Sequence, residues 1–149
     1  MATIDNIKKL RELTGAGIAD CRAVLEETKE DLDKAVELLK RKGLEKAEKK
    51  AGRETHQGKV FSYVHATGKI GVLVSLLCET DFVAKTDDFN NLGKEICLQI
   101  VSMKPETVDD LLKQEYIRDG SQTIENVVKS AVGKLGENIR INEFQWMKL

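Results

Sequence analysis

Val60-Phe61-Ser62-Tyr63-Val64-His65 and Ile70-Gly71-Val72-Leu73-Val74-Ser75-Leu76-Leu77-Cys78 are separated by the turn-forming Ala66-Thr67-Gly68-Lys69. In the first run Val60, Ser62 and Val64 face one way and Phe61, Tyr63 and His65 the other. In the second, Ile70, Val72, Val74, Leu76 and Cys78 share one face. Alternation with period two around a glycine-containing turn predicts a β-hairpin with one buried side.

Downstream of the hairpin the period becomes helical. Phe89, Leu92, Ile96 and Ile100 lie on one face of a helix that ends before Lys104-Pro105. Val108 to Gln114 reads as a short helix. Ile124, Val127, Val128, Ala131 and Leu135 form another amphipathic stripe, with Thr123 as N-cap and Gly136 as its stop. Asn138 to Leu149 reads as a last strand whose apolar phase slips, Ile139 and Ile141 being odd and Phe144 and Trp146 even. A β-bulge near Asn142-Glu143 would return all four to one face. The expected fold is α+β, with a three-stranded, mostly antiparallel sheet carrying helices on one face.

Upstream, Ile4, Ile7 and Leu10, then Ile18, Cys21 and Leu25, then Leu32, Ala35, Val36 and Leu39 mark three short helices. Such helices bury their stripes by forming a three-helix bundle. Thr14-Gly15-Ala16-Gly17 punctuates the first, and Gly43, after Lys40-Arg41-Lys42, is expected to cap the third. The charged stretch from Leu44 to Gly58, with Glu45 and Lys49 four residues apart, reads as a solvated helical linker between two modules.

The 149 residues fit one domain or a small domain with a helical satellite, and 24 basic against 25 acidic residues leave a net charge of -1. That balance speaks against the whole chain binding nucleic acid directly, although Lys40 to Arg53 holds seven basic residues against Glu45 and Glu48. No apolar run is long enough to span a membrane. The start Met1-Ala2-Thr3-Ile4-Asp5 has no signal-like pattern, so a cytoplasmic location is expected. Cys21, Cys78 and Cys97 have no CxxC spacing, which predicts neither a disulfide framework nor a zinc site. His56 and His65 stand in no nucleophile context, and Gly15-Ala16-Gly17 is neither a dinucleotide fingerprint nor a phosphate loop. No catalytic residue, metal ligand or cofactor site is expected, and the chain reads as a binding protein rather than an enzyme.

The stretch Cys78-Glu79-Thr80-Asp81-Phe82-Val83-Ala84-Lys85-Thr86-Asp87-Asp88-Phe89 joins the second strand to the long helix. As a loop on a rigid element it either presents Phe82 outward or tucks Phe82 and Val83 under the hairpin, with Thr86 or Asp87 capping the next helix. Other binding classes also fit these patterns: an adaptor whose bundle grips partner helices, or an RNA-binding accessory protein using the basic stretch.

Three segments carry a family resemblance. Leu10-Arg11-Glu12-Leu13-Thr14-Gly15-Ala16-Gly17-Ile18-Ala19-Asp20-Cys21, Thr80-Asp81-Phe82-Val83-Ala84-Lys85 and Gly133-Lys134-Leu135-Gly136-Glu137-Asn138-Ile139 resemble, in order and separation, elongation factor Ts. That family is the guanine-nucleotide exchange factor of elongation factor Tu. The resemblance implies a UBA-like module over 1–43, a charged helical linker over 44–57 and a single-copy core domain over 58–149. It implies a translation factor that binds elongation factor Tu–GDP and releases GDP by displacing Mg²⁺, so that GTP can rebind. Phe82 would be the apolar wedge, Asp81 its polar neighbour, and Thr80 and Val83 would shape the tip. Arg11, Ile18 and Ala19 align with the contacting surface of the first module, Ala19 being small where the family often has a larger apolar residue. A single-core chain is expected to pair as a homodimer with the sheet's edge as the joining surface. Asn142 and Glu143 stand where the family often has adjacent arginines.

Overall fold

A side chain marks almost every helix start. The computed structural model describes all 149 residues and holds seven helices and five strands. Thr3, Asp31, Thr80, Thr86, Thr107 and Thr123 each accept the backbone N–H three residues on. They open α1 (Ile4–Thr14), α3 (Leu32–Lys50), α4 (Asp81–Ala84), α5 (Asp87–Met103), α6 (Val108–Lys113) and α7 (Ile124–Leu135). Only α2 (Ile18–Glu27) begins without such a cap, at Gly17. Glycine in the left-handed region closes two helices: Gly15 (φ 68°) bonds back to Arg11 O and Gly136 (φ 78°) to Val132 O.

The strands β1 (Gln57–Val64), β2 (Ile70–Cys78) and β5 (Arg140–Lys148) form one antiparallel sheet in the order β1-β2-β5. The expected bulge is present. Ser75 pairs with Glu143 and Leu76 with Ile141, which leaves Asn142 without a partner. That extra residue moves the phase of β5, so Ile141, Phe144 and Trp146 all meet the face of β2 that carries Leu76, Val74 and Val72. The Trp146 indole donates to Pro105 O at 2.7 Å, which satisfies its only donor.

Two hydrophobic clusters result. The larger gathers Val72, Val74, Leu76 and Cys78 of β2 with Phe89, Leu92, Ile96 and Ile100 of α5 and Ile124, Val128 and Val132 of α7. The smaller is confined to the first three helices: Leu10, Cys21, Val24, Leu25, Ala35 and Leu38. The face of the sheet opposite to this core bears the exposed Val60, Val64, Leu73 and Met147.

Two expectations are corrected here. Gly43 does not cap a helix, because α3 runs unbroken through it to Lys50, where Ala47 already belongs to the larger cluster. The glycine serves a close approach instead. A Cβ on Gly133 of α7 would lie 2.8 Å from both the Cα and the O of Gly43, so the two helix backbones nearly touch there. The helical part of the charged stretch is thus the continuation of α3. An additional hairpin, β3 (Glu115–Tyr116) with β4 (Asp119–Thr123), lies between α6 and α7. Buried Gln99 of α5 anchors it, donating to Glu115 O at 3.0 Å and accepting from Ile117 N at 3.0 Å.

Candidate partner-binding site

Thr80, Asp81, Phe82 and Val83 form the cap and first turn of α4 rather than a loop, which corrects the reading of that stretch as a connection without structure of its own. The Thr80 hydroxyl accepts Val83 N–H at 3.4 Å, and Ala84 N–H returns to Thr80 O at 3.3 Å. One helical turn points its four residues in different directions. Ala84 is buried and Val83 packs against the larger cluster, while Asp81 and Phe82 face outward. Phe82 is 80% exposed. Asp81 pairs with Lys85 one turn on, at 3.1 Å. An exposed phenylalanine forgoes about 1.5–3 kcal/mol of burial.

The anchoring of this turn comes from the segment that leads into the neighbouring strand β5. Glu137 follows the left-handed Gly136 at the end of α7, and its carboxylate accepts Glu79 N–H at 3.2 Å, Thr80 N–H at 3.0 Å and the Thr80 hydroxyl at 2.7 Å. Glu79 accepts Asn138 N–H at 2.8 Å in return, and its other oxygen meets Arg53 at 3.0 Å. The Asn138 amide donates to Ala51 O and Arg53 O at 3.3 and 2.7 Å, which ties the segment after α3 to the start of β5. Cys78, just before the turn, gives its thiol hydrogen to Thr80 O, and burial with the nearby Glu137 charge pushes its pKa up. Burial alone carries Cys97 to about 11, Cys21 is raised for the same first reason, and all three cysteines are free and buried.

A second outward surface lies on the bundle. Ile18 is 59% exposed at the start of α2, beside exposed Ala19, and exposed Leu13 lies in the last turn of α1 on the other side of the intervening loop. Arg11 is exposed as well and closes that loop by donating to Ala16 O at 3.3 Å. No hydrogen bond or ion pair joins Arg11, Ile18 or Ala19 to the Thr80–Val83 turn. The two surfaces are linked through α3 and α7: Lys50 donates to Gly136 O at 2.9 Å, and Lys134, which lies over Gly15, bonds Asp88 at 3.1 Å. No set of three or more His, Cys, Asp or Glu side chains comes together to hold a metal ion.

The family model for elongation factor Ts matches residues 79–149, beginning one residue before the Thr80 cap. A Fervidobacterium nodosum protein named elongation factor Ts is 39% identical over 188 aligned positions, with 96% of this chain and 95% of that protein covered. Proteins of the same name from Leptospira biflexa and Petrotoga mobilis are 42% and 41% identical, with 94% and 95% of this chain and 93% and 95% of theirs covered. The chain belongs to the elongation factor Ts family. Its place in that family makes it a translation elongation factor. The alignments exceed this chain's 149 residues, so these relatives carry internal stretches that it lacks.

Against this elongation factor Ts background, several residues at the two surfaces had no part in the sequence expectation. Leu13 is one; it lies in a shared motif but carried no contact expectation of its own. Glu79, Glu137, Asn138 and Arg53 are the others. Glu137 and Asn138 stand in one of the shared motifs, but nothing in a linear pattern places a carboxylate against the backbone of residues 79 and 80.

Proposed function

We propose that this protein is the guanine-nucleotide exchange factor of elongation factor Tu, and that Phe82 is the group that opens the GTPase's Mg²⁺ site. The observation that carries this reading is the 80% exposure of Phe82 on a capped, cross-braced turn. A bound GDP is held by a phosphate loop and by a Mg²⁺ that neutralises its phosphate oxygens. A ring pushed in beside that metal displaces it, Asp81 being the polar neighbour of the wedge while Thr80 and Val83 fix the turn. Without the ion the phosphates lose their main countercharge and GDP leaves faster. Burial of one phenylalanine contributes about 1.5–3 kcal/mol; felt only in the distorted state, that is roughly ten- to over a hundred-fold in release rate. By linkage the factor binds the empty GTPase more tightly than the loaded one, and incoming GTP expels it.

Arg11, Ile18 and Ala19 form the second contact, on a UBA-like module assigned to residues 1–43. Residues 44–57 join it to the single-copy core over 58–149. The exposed Ile18 and the neighbouring Leu13 support that role, being apolar groups on a face without a partner in the chain. The factor needs no cofactor, makes no covalent step, and works in the cytoplasm without direct nucleic-acid contact. Its three-stranded sheet has β1 and β5 at its edges, which supports pairing into a homodimer through an edge.

The test is release of fluorescent GDP from elongation factor Tu. The wild-type chain should speed it at least about ten-fold, and Phe82→Ala should remove most of that gain with an unchanged far-UV spectrum. A wild-type chain without effect would leave the adaptor reading in its place.

A further inference from the structure

The motif Gly133–Ile139 is the one of the three shared segments to which no partner contact has been assigned. Its most engaged side chain faces inward, toward the turn that carries Phe82. The last paired residues of β2 and β5 are Leu77 and Arg140; beyond them the chains diverge into α4 and from α7. There the backbone ladder is replaced by two crossed carboxylates, Glu137 on the amides of Glu79 and Thr80, and Glu79 on the amide of Asn138.

We infer that Glu137 is a positioning residue for exchange, the group that sets the direction of Phe82; this rests on the exchange reading above. α4 has four residues, a single turn, and a helix that short is not held by its own hydrogen bonds. Its direction is set by its cap together with the inward packing of Val83 and Ala84. The Thr80 hydroxyl has one proton, and Glu137 takes it at 2.7 Å. With that proton committed, the oxygen's lone pairs remain for Val83 N–H, and the first turn is fixed relative to β2. Hydrogen bonds to a charged acceptor are the strong ones, and Glu137 collects three from two successive residues. Residues 79 and 80 are half-buried rather than sealed, so water replaces these bonds when the carboxylate is removed. The fold then survives, but the ring at position 82 samples many directions and the wedge loses its aim.

The experiment follows fluorescent GDP release from elongation factor Tu over a range of exchange-factor concentrations. It compares wild type, Glu137→Ala, Glu137→Gln, Phe82→Ala and the double variant Glu137→Ala with Phe82→Ala. Glu137→Ala should lower the maximal release rate about ten-fold and leave the half-saturating concentration within about two-fold, because the bundle surface is untouched. Glu137→Gln keeps one acceptor oxygen and should lose about three-fold. In the Phe82→Ala background, Glu137→Ala should have almost no further effect, since a residue that works by aiming the ring has nothing left to aim. If Glu137→Ala does not fold, Glu137→Gln carries the same cycle. An unchanged maximal rate, or an equal fold-loss with and without Phe82, overturns the inference. A wild-type chain that leaves GDP release unchanged overturns the exchange reading and this inference with it.

Discussion

Phe82 and Phe89 each stand in the first turn of a helix capped by a threonine, yet Phe82 is 80% exposed and Phe89 is fully buried. The difference is one of phase and of helix length. α5 continues for seventeen residues, so Phe89 starts a stripe with Leu92, Ile96 and Ile100 that lies against the sheet, and its ring centroid is 5.9 Å from that of Phe61 in β1. α4 ends after four residues and spends its inward positions on Val83 and Ala84, so no inward position remains for Phe82. Equal hydrophobicity therefore leads to a buried ring in one helix and to an exposed ring in the other.

Removing each ring is the sharpest way to break this comparison. Phe89→Ala should destabilise the fold by about 3–5 kcal/mol, read as a drop in the denaturant midpoint at unchanged slope. Next comes Gly93→Ala on the same helix. A Cβ there would collide with the Phe61 ring, and the displaced ring should lower stability by about 1–3 kcal/mol. The two caps come third. Thr86→Ala and Thr80→Ala should each lose about 1 kcal/mol, with Thr80→Ala also slowing GDP exchange, because only Thr80 is bonded to Glu137. Last, Phe82→Ala should shift stability by no more than about 0.5 kcal/mol while exchange falls. A melting curve for Phe82→Ala as depressed as that for Phe89→Ala would erase the contrast and place both rings in the core.

Much of the fold was legible because its signals are periodic or local. The β5 phase slip between Ile141 and Phe144 reports the bulge at Asn142, and Thr123 and Gly136 bracket α7 as their chemistry requires. What stayed hidden depends on distant partners. Gly43 looks like a cap in one dimension; its role appears only when Gly133 of α7 is laid against it. The β3–β4 hairpin has no apolar alternation in Asp119-Gly120-Ser121-Gln122-Thr123, and it is held by Gln99 of α5, a partner no local pattern names. α4 is too short for a period, so the stretch read as a loop. Of the candidate site, the exposure of Phe82 was left open by its own neighbours and settled by the phase of a single turn. The brace at Glu137 joins residues 57 and 58 positions apart.

The unbroken course of α3 sets the compliance of the whole molecule. Its first half is built into the small cluster through Ala35 and Leu38, and its second half into the large one through Ala47. Nineteen helical residues make a strut of about 28 Å, and such a strut has no joint between its ends. Whatever grips the bundle therefore bears on α7, against which the second half of α3 lies, and a clip introduced after residue 43 would cut a helix that both clusters share.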